Sequence, residues 1–124
     1  MNKEISKIIE KAKKDKEILA VALFGSSVKG DGRDMDICLI LDRKYPNIEM
    51  SRKRLEFLSE TGDNTDVQIF QQLPIYIRVR VIKDGKILHY KNMDKLYELV
   101  FEAIKEFELF KRSYGDYLDA VENG

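Results

Sequence analysis

Two apolar runs separated by a glycine-rich segment constrain the fold of this chain more than any other feature. The runs are ILAVALF (residues 18–24) and MDICLIL (residues 35–41), and both have the length of strands that are covered on both faces of a sheet. Three glycines fall within residues 25–33, so this segment is predicted to be a loop. A sheet with helices packed on it is therefore expected.

The remaining pattern predicts one α/β domain over residues 1–124, with a mixed sheet of about four strands and a long C-terminal helix. Further elements are expected as helices over residues 3–16 and 48–60, and as strands over residues 65–70 and 87–90. Asn92 is the predicted N-cap of the long helix. Residues 74–82 alternate as a strand does, yet Ile75, Val79 and Ile82 also fit a helix, so the pattern leaves both open.

The C-terminal helix carries an apolar seam in steps of four and three. Its members are Leu96, Val100, Ala103, Phe107, Phe110, Tyr114, Tyr117 and Val121. A helix of nearly thirty residues is ~45 Å long, more than so small a domain can cover. The first half is predicted to belong to the core, and residues 107–121 to form a partner-binding face. Gly115 weakens the helix by ~1 kcal/mol, so the pattern does not decide whether the helix breaks at that residue.

Composition excludes several classes of partner. The 22 basic and 22 acidic residues balance, so no overall field favours a long nucleic acid. No apolar run approaches the ~20 residues of a membrane span, and the charged N-terminus does not resemble a signal peptide. The protein is expected to be soluble and cytoplasmic, with Cys38 as a small buried hydrophobe.

Three carboxylates open predicted strands. Asp34 and Asp36 are two residues apart, so strand alternation puts them on one face, which continues as Cys38 and Ile40. Asp66 opens another strand in the same way. Three converging carboxylates would repel one another unless a cation lay between them. Oxygen ligands select hard ions, so Mg²⁺ or Mn²⁺ is expected.

A small-residue turn precedes these acids. Gly25, Ser26 and Ser27 follow a buried strand directly, and such a turn lets backbone N–H groups and hydroxyls approach phosphate oxygens. Lys29 and Arg33 add positive charge nearby. A lone Asp-x-Asp is ordinary turn composition, but its order after the strand and the glycine-serine turn is far more restrictive. A phosphate-binding turn next to a carboxylate metal site is the combination that phosphoryl transfer requires. His89, the single histidine, is interpreted as a structural or surface residue and not a catalytic one.

The residues LFGSSVKG (23–30) followed by DMDI (34–37) resemble the signature of the DNA polymerase beta superfamily of nucleotidyltransferases. Within it, the chain resembles the minimal nucleotidyltransferases, the MntA-like antitoxin group. The pairs Asp66-Val67 and Leu73-Pro74, the stretch KDGKILHY (83–90) and the long terminal helix also fit that group.

The resemblance implies that Asp34 and Asp36 bind two metal ions and that Asp66 completes the triad as base or orienter of the attacking hydroxyl. It also implies a short helix over residues 74–82. The nucleotide-binding residues that it implies are Gly25, Ser26, Ser27, Lys29 and Gly30. Two departures are a short loop between Gly30 and Asp34, and Arg33 where relatives often have serine.

The activity implied is transfer of AMP from ATP to a protein hydroxyl, in a toxin–antitoxin system. The acceptor would be a tyrosine of a helical HEPN toxin, docked on residues 107–121. A second domain that holds a small acceptor is not expected, so the partner must bring the acceptor. The alternatives are a nucleotide-binding antitoxin that acts by covering its partner, and an antibiotic-type transferase for small molecules. Self-association is left open.

Overall fold

The structure is a computed structural model that describes residues 3–25, 35–62 and 64–123. In chain order, the elements are α1 (Lys3–Lys14), β1 (Ile18–Phe24), β2 (Met35–Leu41), α2 (Asn47–Leu58), β3 (Thr65–Ile69), a 3₁₀ turn (Phe70–Gln72), α3 (Ile75–Asp84), β4 (Lys86–Tyr90) and α4 (Met93–Asn123). The two strands that flank the glycine-rich segment have the predicted bounds.

The four strands form one mixed sheet in the order β3-β2-β1-β4. Strand β1 pairs antiparallel with both β2 and β4, while β2 and β3 are parallel. Parallel neighbours need a crossover connection, and α2 supplies it between β2 and β3. The predicted mixed four-stranded α/β fold is confirmed.

Alternation along β2 divides the core into two layers. Ile37, Leu39 and Leu41 belong to one apolar cluster together with buried side chains of α1 and α2, such as Ile8 and Phe57. The opposite face packs against α3 and α4, through Cys38, Ile40, Val81, Leu96 and Ala103. The sheet is therefore covered on both faces, as its continuous apolar strands predict.

Residues 75–84 form a helix, so the strand alternative for this segment is wrong. Pro74 occupies the N-cap position, and its carbonyl accepts hydrogen bonds from the amides of Ile77 and Arg78, both at 3.0 Å. Val81 is buried against the sheet and α4. Tertiary packing therefore decides between two periodicities that the local sequence fits equally.

Several predicted ends shift by one or two residues. Helix α1 ends at Lys14 because Asp15 begins a turn, in which its carboxylate accepts a hydrogen bond from the amide of Glu17 at 3.0 Å. Helix α2 spans residues 47–58, and β4 begins at Lys86. Strand β3 ends at Ile69 because Phe70 begins the 3₁₀ turn.

Helix α4 runs unbroken for 31 residues, so a break at Gly115 is wrong. The predicted cap is confirmed, since the side chain of Asn92 accepts a hydrogen bond from the amide of Lys95 at 3.1 Å. Leu96 and Ala103 are buried, whereas Tyr117 is 63% exposed. The first half of the seam is core, as predicted. None of the helices in the described ranges is both long and apolar enough to cross a bilayer.

Candidate active site

Asp36 and Asp66 lie side by side on neighbouring strands. They are register partners in the parallel pairing of β2 with β3, which places their backbones about 4.8 Å apart. Both face the α3–α4 side, because the neighbouring Ile37 and Val67 belong to the opposite cluster. The structure thus brings two of the three predicted site carboxylates together, while Asp34 lies outside the described residues.

Gly25 brings the end of β1 against the carboxylate of Asp36. Its φ of 74° is in the left-handed region, and a Cβ atom there would lie 2.5 Å from Oδ2 of Asp36. Only glycine combines this backbone conformation with so close an approach. Gly25, the one described residue of the predicted small-residue turn, therefore lies next to the acidic start of β2. The other predicted nucleotide-binding residues, Ser26, Ser27, Lys29 and Gly30, lie outside the described residues, as does Arg33.

The carboxylate of Asp66 is held at both oxygens. Nη2 of Arg54 lies 3.2 Å from Oδ1, and Nε2 of Gln68 donates to Oδ2 at 2.9 Å. Neither partner was predicted from the sequence. A signal for Arg54 exists, because it stands between the buried residues Met50 and Phe57 at helical spacing. A cation on a buried helical stripe indicates a specific partner.

An open cleft of about 570 Å³ lies beside the two carboxylates. The amide of Met35 donates to the carbonyl of Asn64 at 2.7 Å, and this bond ties the cleft's loop to the start of β2. The hydroxyl of Thr65 donates to the carboxylate of Glu4 at 2.5 Å, which ties the same loop to α1. The cleft is lined by Asp36, Leu58, Thr61, Gly62, Asn64, Thr65 and Asp66.

The donor set suits a hard divalent cation. Within the described part of the chain no cluster of three or more metal-ligating side chains occurs. Asp36 and Asp66 make a pair that faces an open cleft, and Asp34 would be the third ligand. Carboxylate oxygens that share a cleft with room for water match the coordination that Mg²⁺ prefers. The residues present therefore fit the metal that the sequence predicts.

Cys38 and His89 take no part in this site. Cys38 is fully buried, and burial raises the pKa of its thiol, so the side chain is an unreactive core residue. His89 pairs with Val21 of β1, whose side chain is in the α1–α2 cluster, on the face away from Asp36. Burial, together with Lys13 and Lys91, lowers the pKa of His89. The prediction that Cys38 is a small buried hydrophobe is confirmed, and His89 lies away from the two carboxylates.

Solved structures share this fold across almost the whole chain. A chain of a toxin–antitoxin complex with AMP-PNP superposes with a TM-score of 0.70 at 18% identity, covering 95% of each chain. A chain from the complex of a tri-AMPylated Shewanella oneidensis HEPN toxin with its MNT antitoxin gives a TM-score of 0.66 at 18% identity. That match covers 95% of this chain and 92% of the other.

Sequence comparison leads to the same class of protein. A Methanocaldococcus jannaschii protein that bears the name protein adenylyltransferase is 28% identical over 103 residues, which cover 73% of this chain and 78% of the relative. The family model described as polymerase beta, nucleotidyltransferase matches residues 6–94, a span from α1 to the start of α4 that contains Gly25, Asp36 and Asp66. The chain is therefore a nucleotidyltransferase that belongs to the polymerase beta nucleotidyltransferase family.

Proposed function

We propose that this nucleotidyltransferase moves AMP from ATP to a hydroxyl group of a protein partner. The observation that carries the proposal is the pairing of Asp36 with Asp66 across parallel strands, beside Gly25 at the end of β1. The name of the M. jannaschii relative, the AMP-PNP complex and the AMPylated toxin support the choice of nucleotide and acceptor class.

The reaction joins the acceptor oxygen to the α-phosphorus of ATP. The bond from that phosphorus to the oxygen bridging to the β-phosphate breaks, and pyrophosphate leaves with the bonding electrons. Asp66 orients the attacking hydroxyl and accepts its proton, which it then passes to solvent. Residues 25–27, with Lys29 and Gly30, hold the triphosphate. Mg²⁺ bound by Asp34, Asp36 and Asp66 would neutralise charge on the phosphates.

The proposed acceptor is a tyrosine of a helical HEPN-type toxin that docks on the distal half of α4. Phe107, Phe110 and Tyr114 stack at centroid separations of 6.3 Å and 6.2 Å. Tyr117 and Val121 extend the same stripe and are 63% and 62% exposed. An apolar stripe at helical spacing suits a partner helix, and tyrosines are among the residues that most often dominate the binding energy of an interface.

Incubation of the chain with Mg²⁺, a HEPN-type protein encoded beside it and ATP labelled at the α-phosphate tests the proposal. We expect label on one or more tyrosines of the partner, and a mass increase of one AMP residue at each. ATP labelled at the γ-phosphate is the matched control and should leave no label, because the γ-phosphate departs in pyrophosphate. A partner that stays unmodified, while the chain binds ATP and Mg²⁺, would refute the proposal.

The exposed stripe on α4 also favours a second candidate, a module that neutralises its partner by covering it. Asp36→Asn and Asp66→Asn separate the candidates, because both changes remove a charge from the site and leave α4 intact. Loss of neutralisation supports catalysis. Full neutralisation by the double variant supports binding alone.

A further inference from the structure

Arg54 reaches Asp66 around the edge of the sheet. Helix α2 packs on one face, through Met50 and Phe57, whereas the carboxylate of Asp66 lies on the other. Strand β3 is an edge of the four-stranded sheet, so a long side chain can pass beside it. Arg54 does so, and its guanidinium lies 3.2 Å from Oδ1 of Asp66.

A second hydrogen bond fixes the guanidinium in place. Nε of Arg54 donates to the carbonyl of Val67 at 2.6 Å, while Nη2 holds Asp66. One planar group thus joins the backbone of β3 to the carboxylate of the preceding residue. The fixed geometry of the guanidinium donors is what distinguishes arginine from lysine at such a position.

Gln68 completes the arrangement from the same face as Asp66. Its amide donates to Oδ2 at 2.9 Å, so each carboxylate oxygen has a separate protein donor. The torsions of the Asp66 side chain are therefore defined before any substrate enters. Each oxygen retains a lone pair for a further ligand or for an acceptor hydroxyl.

We infer that Arg54 is a positioning residue for nucleotidyl transfer, acting with Gln68 to aim Asp66 at the space beside Asp36. The inference rests on the proposed function. A purely structural ion pair at this exposure, with Arg54 at 31% and Asp66 at 45%, would contribute little to stability. Loss of a partner that orients a metal-binding or catalytic carboxylate typically costs 10- to 100-fold in activity or metal affinity.

The variants Arg54→Met and Gln68→Leu test the two hydrogen bonds to Asp66 separately. Arg54→Met also frees the carbonyl of Val67, whereas Gln68→Leu removes only a donor to Asp66. Arg52→Met is the matched control, because Arg52 is an exposed arginine on the same helix. Three quantities are measured for each variant: kcat and KM for ATP in the transfer assay, and the Mn²⁺ dissociation constant by electron paramagnetic resonance.

For Arg54→Met we expect a kcat about 10- to 100-fold lower, a KM for ATP within about threefold of wild type and Mn²⁺ binding weaker by about tenfold. Gln68→Leu should change the same quantities in the same direction, Arg54→Lys should recover part of the loss, and Arg52→Met should match wild type. In an Asp66→Asn background, Arg54→Met should weaken Mn²⁺ binding no further, because its effect passes through Asp66.

Wild-type kcat and Mn²⁺ affinity in Arg54→Met would overturn the inference, and so would an equal loss of Mn²⁺ affinity in the Asp66→Asn background. Failure of the proposed function is distinguishable, because wild type would then transfer no AMP. The Mn²⁺ measurements would still decide whether Arg54 positions Asp66.

Discussion

A Cβ atom on Gly25 would lie 2.5 Å from Oδ2 of Asp36, so Gly25 lies directly against the carboxylate of Asp36. Gly25→Ala should therefore act on the active site as well as on the fold. The left-handed φ alone costs an alanine about 1–2 kcal/mol, and the methyl group must also displace the carboxylate. We expect a melting temperature roughly 3–8 °C lower and a rate of AMP transfer at least about tenfold lower, measured by calorimetry and by the α-label assay. Transfer at the wild-type rate would show that the position of Asp36 is not critical.

Gly115→Ala should have the opposite effect. A Cβ atom at this position meets nothing within 4 Å, and the residue lies inside the continuous α4. Alanine is better than glycine in a helix interior by up to ~1 kcal/mol. A melting temperature a few degrees higher, with unchanged AMP transfer, is the expected result. A lower melting temperature would indicate that Gly115 has a role that the helix does not explain.

Removal of the divalent cation should abolish AMP transfer. A chelator is expected to stop the reaction, and added Mg²⁺ or Mn²⁺ to restore it, because the carboxylates of Asp36 and Asp66 have no other way to hold a polyphosphate. Asp36→Asn should reduce the rate by about a hundredfold or more, since a metal ion supplies several kcal/mol of transition-state stabilisation. Both effects are measured as the initial rate at which α-phosphate label is transferred to the partner. Activity that survives exhaustive chelation would rule out metal dependence.

The distal face of α4 should be needed for the partner and not for folding. Phe110→Asp combined with Tyr117→Asp puts two charges on side chains that are 42% and 63% exposed. We expect at least tenfold weaker partner binding by calorimetric titration, with an unchanged melting temperature. The matched control is Asp119→Lys, which alters an exposed residue of the same helix away from the stripe. Equal binding by both variants would exclude this face as the docking site.

Stability should fall at alkaline pH because of Cys38. Burial raises the pKa of its thiol above the ordinary value of 9.0. Below pH 9 both states keep the proton. Above it the unfolded chain loses a proton that the folded chain retains, so the free energy of unfolding falls by ~1.4 kcal/mol per pH unit. Urea titrations at pH 8 and pH 10 should show a smaller decrease for Cys38→Ala than for wild type. Equal decreases would contradict a raised thiol pKa.

Strands β1 and β2 could be predicted because nearly all of their residues are apolar and both runs are bounded by a glycine or by charged residues. The bounds of β1 and β2 follow from composition alone. The segment at residues 75–84 could not be decided in this way, since its apolar side chains satisfy both periods and only packing against the sheet and α4 selects the helix. The end of β3 could not be predicted to the residue either, because it depends on the backbone conformation of Phe70, where a 3₁₀ turn begins.

In the candidate site, too, the residue types could be predicted from the sequence, whereas the contacts between them depend on the fold. Asp36 and Asp66 were recognisable as acids at the starts of strands, but their register pairing follows from the parallel crossover through α2. Arg54 contacts a residue twelve positions away across a sheet edge, a relationship that no local period encodes. Its position on the buried stripe with Met50 and Phe57 was the available sign that it had a partner.

The hydrogen bond from Arg54 to the carbonyl of Val67 also bears on the tendency of this protein to aggregate. Unpaired backbone groups on an outer strand can template the addition of a foreign strand and lead to aggregation. Strand β3 is only five residues long, and a cationic side chain occupies one of its acceptors. Replacement of Arg54 by a neutral residue would therefore free a backbone acceptor on an edge strand and favour aggregation, independently of any effect on catalysis.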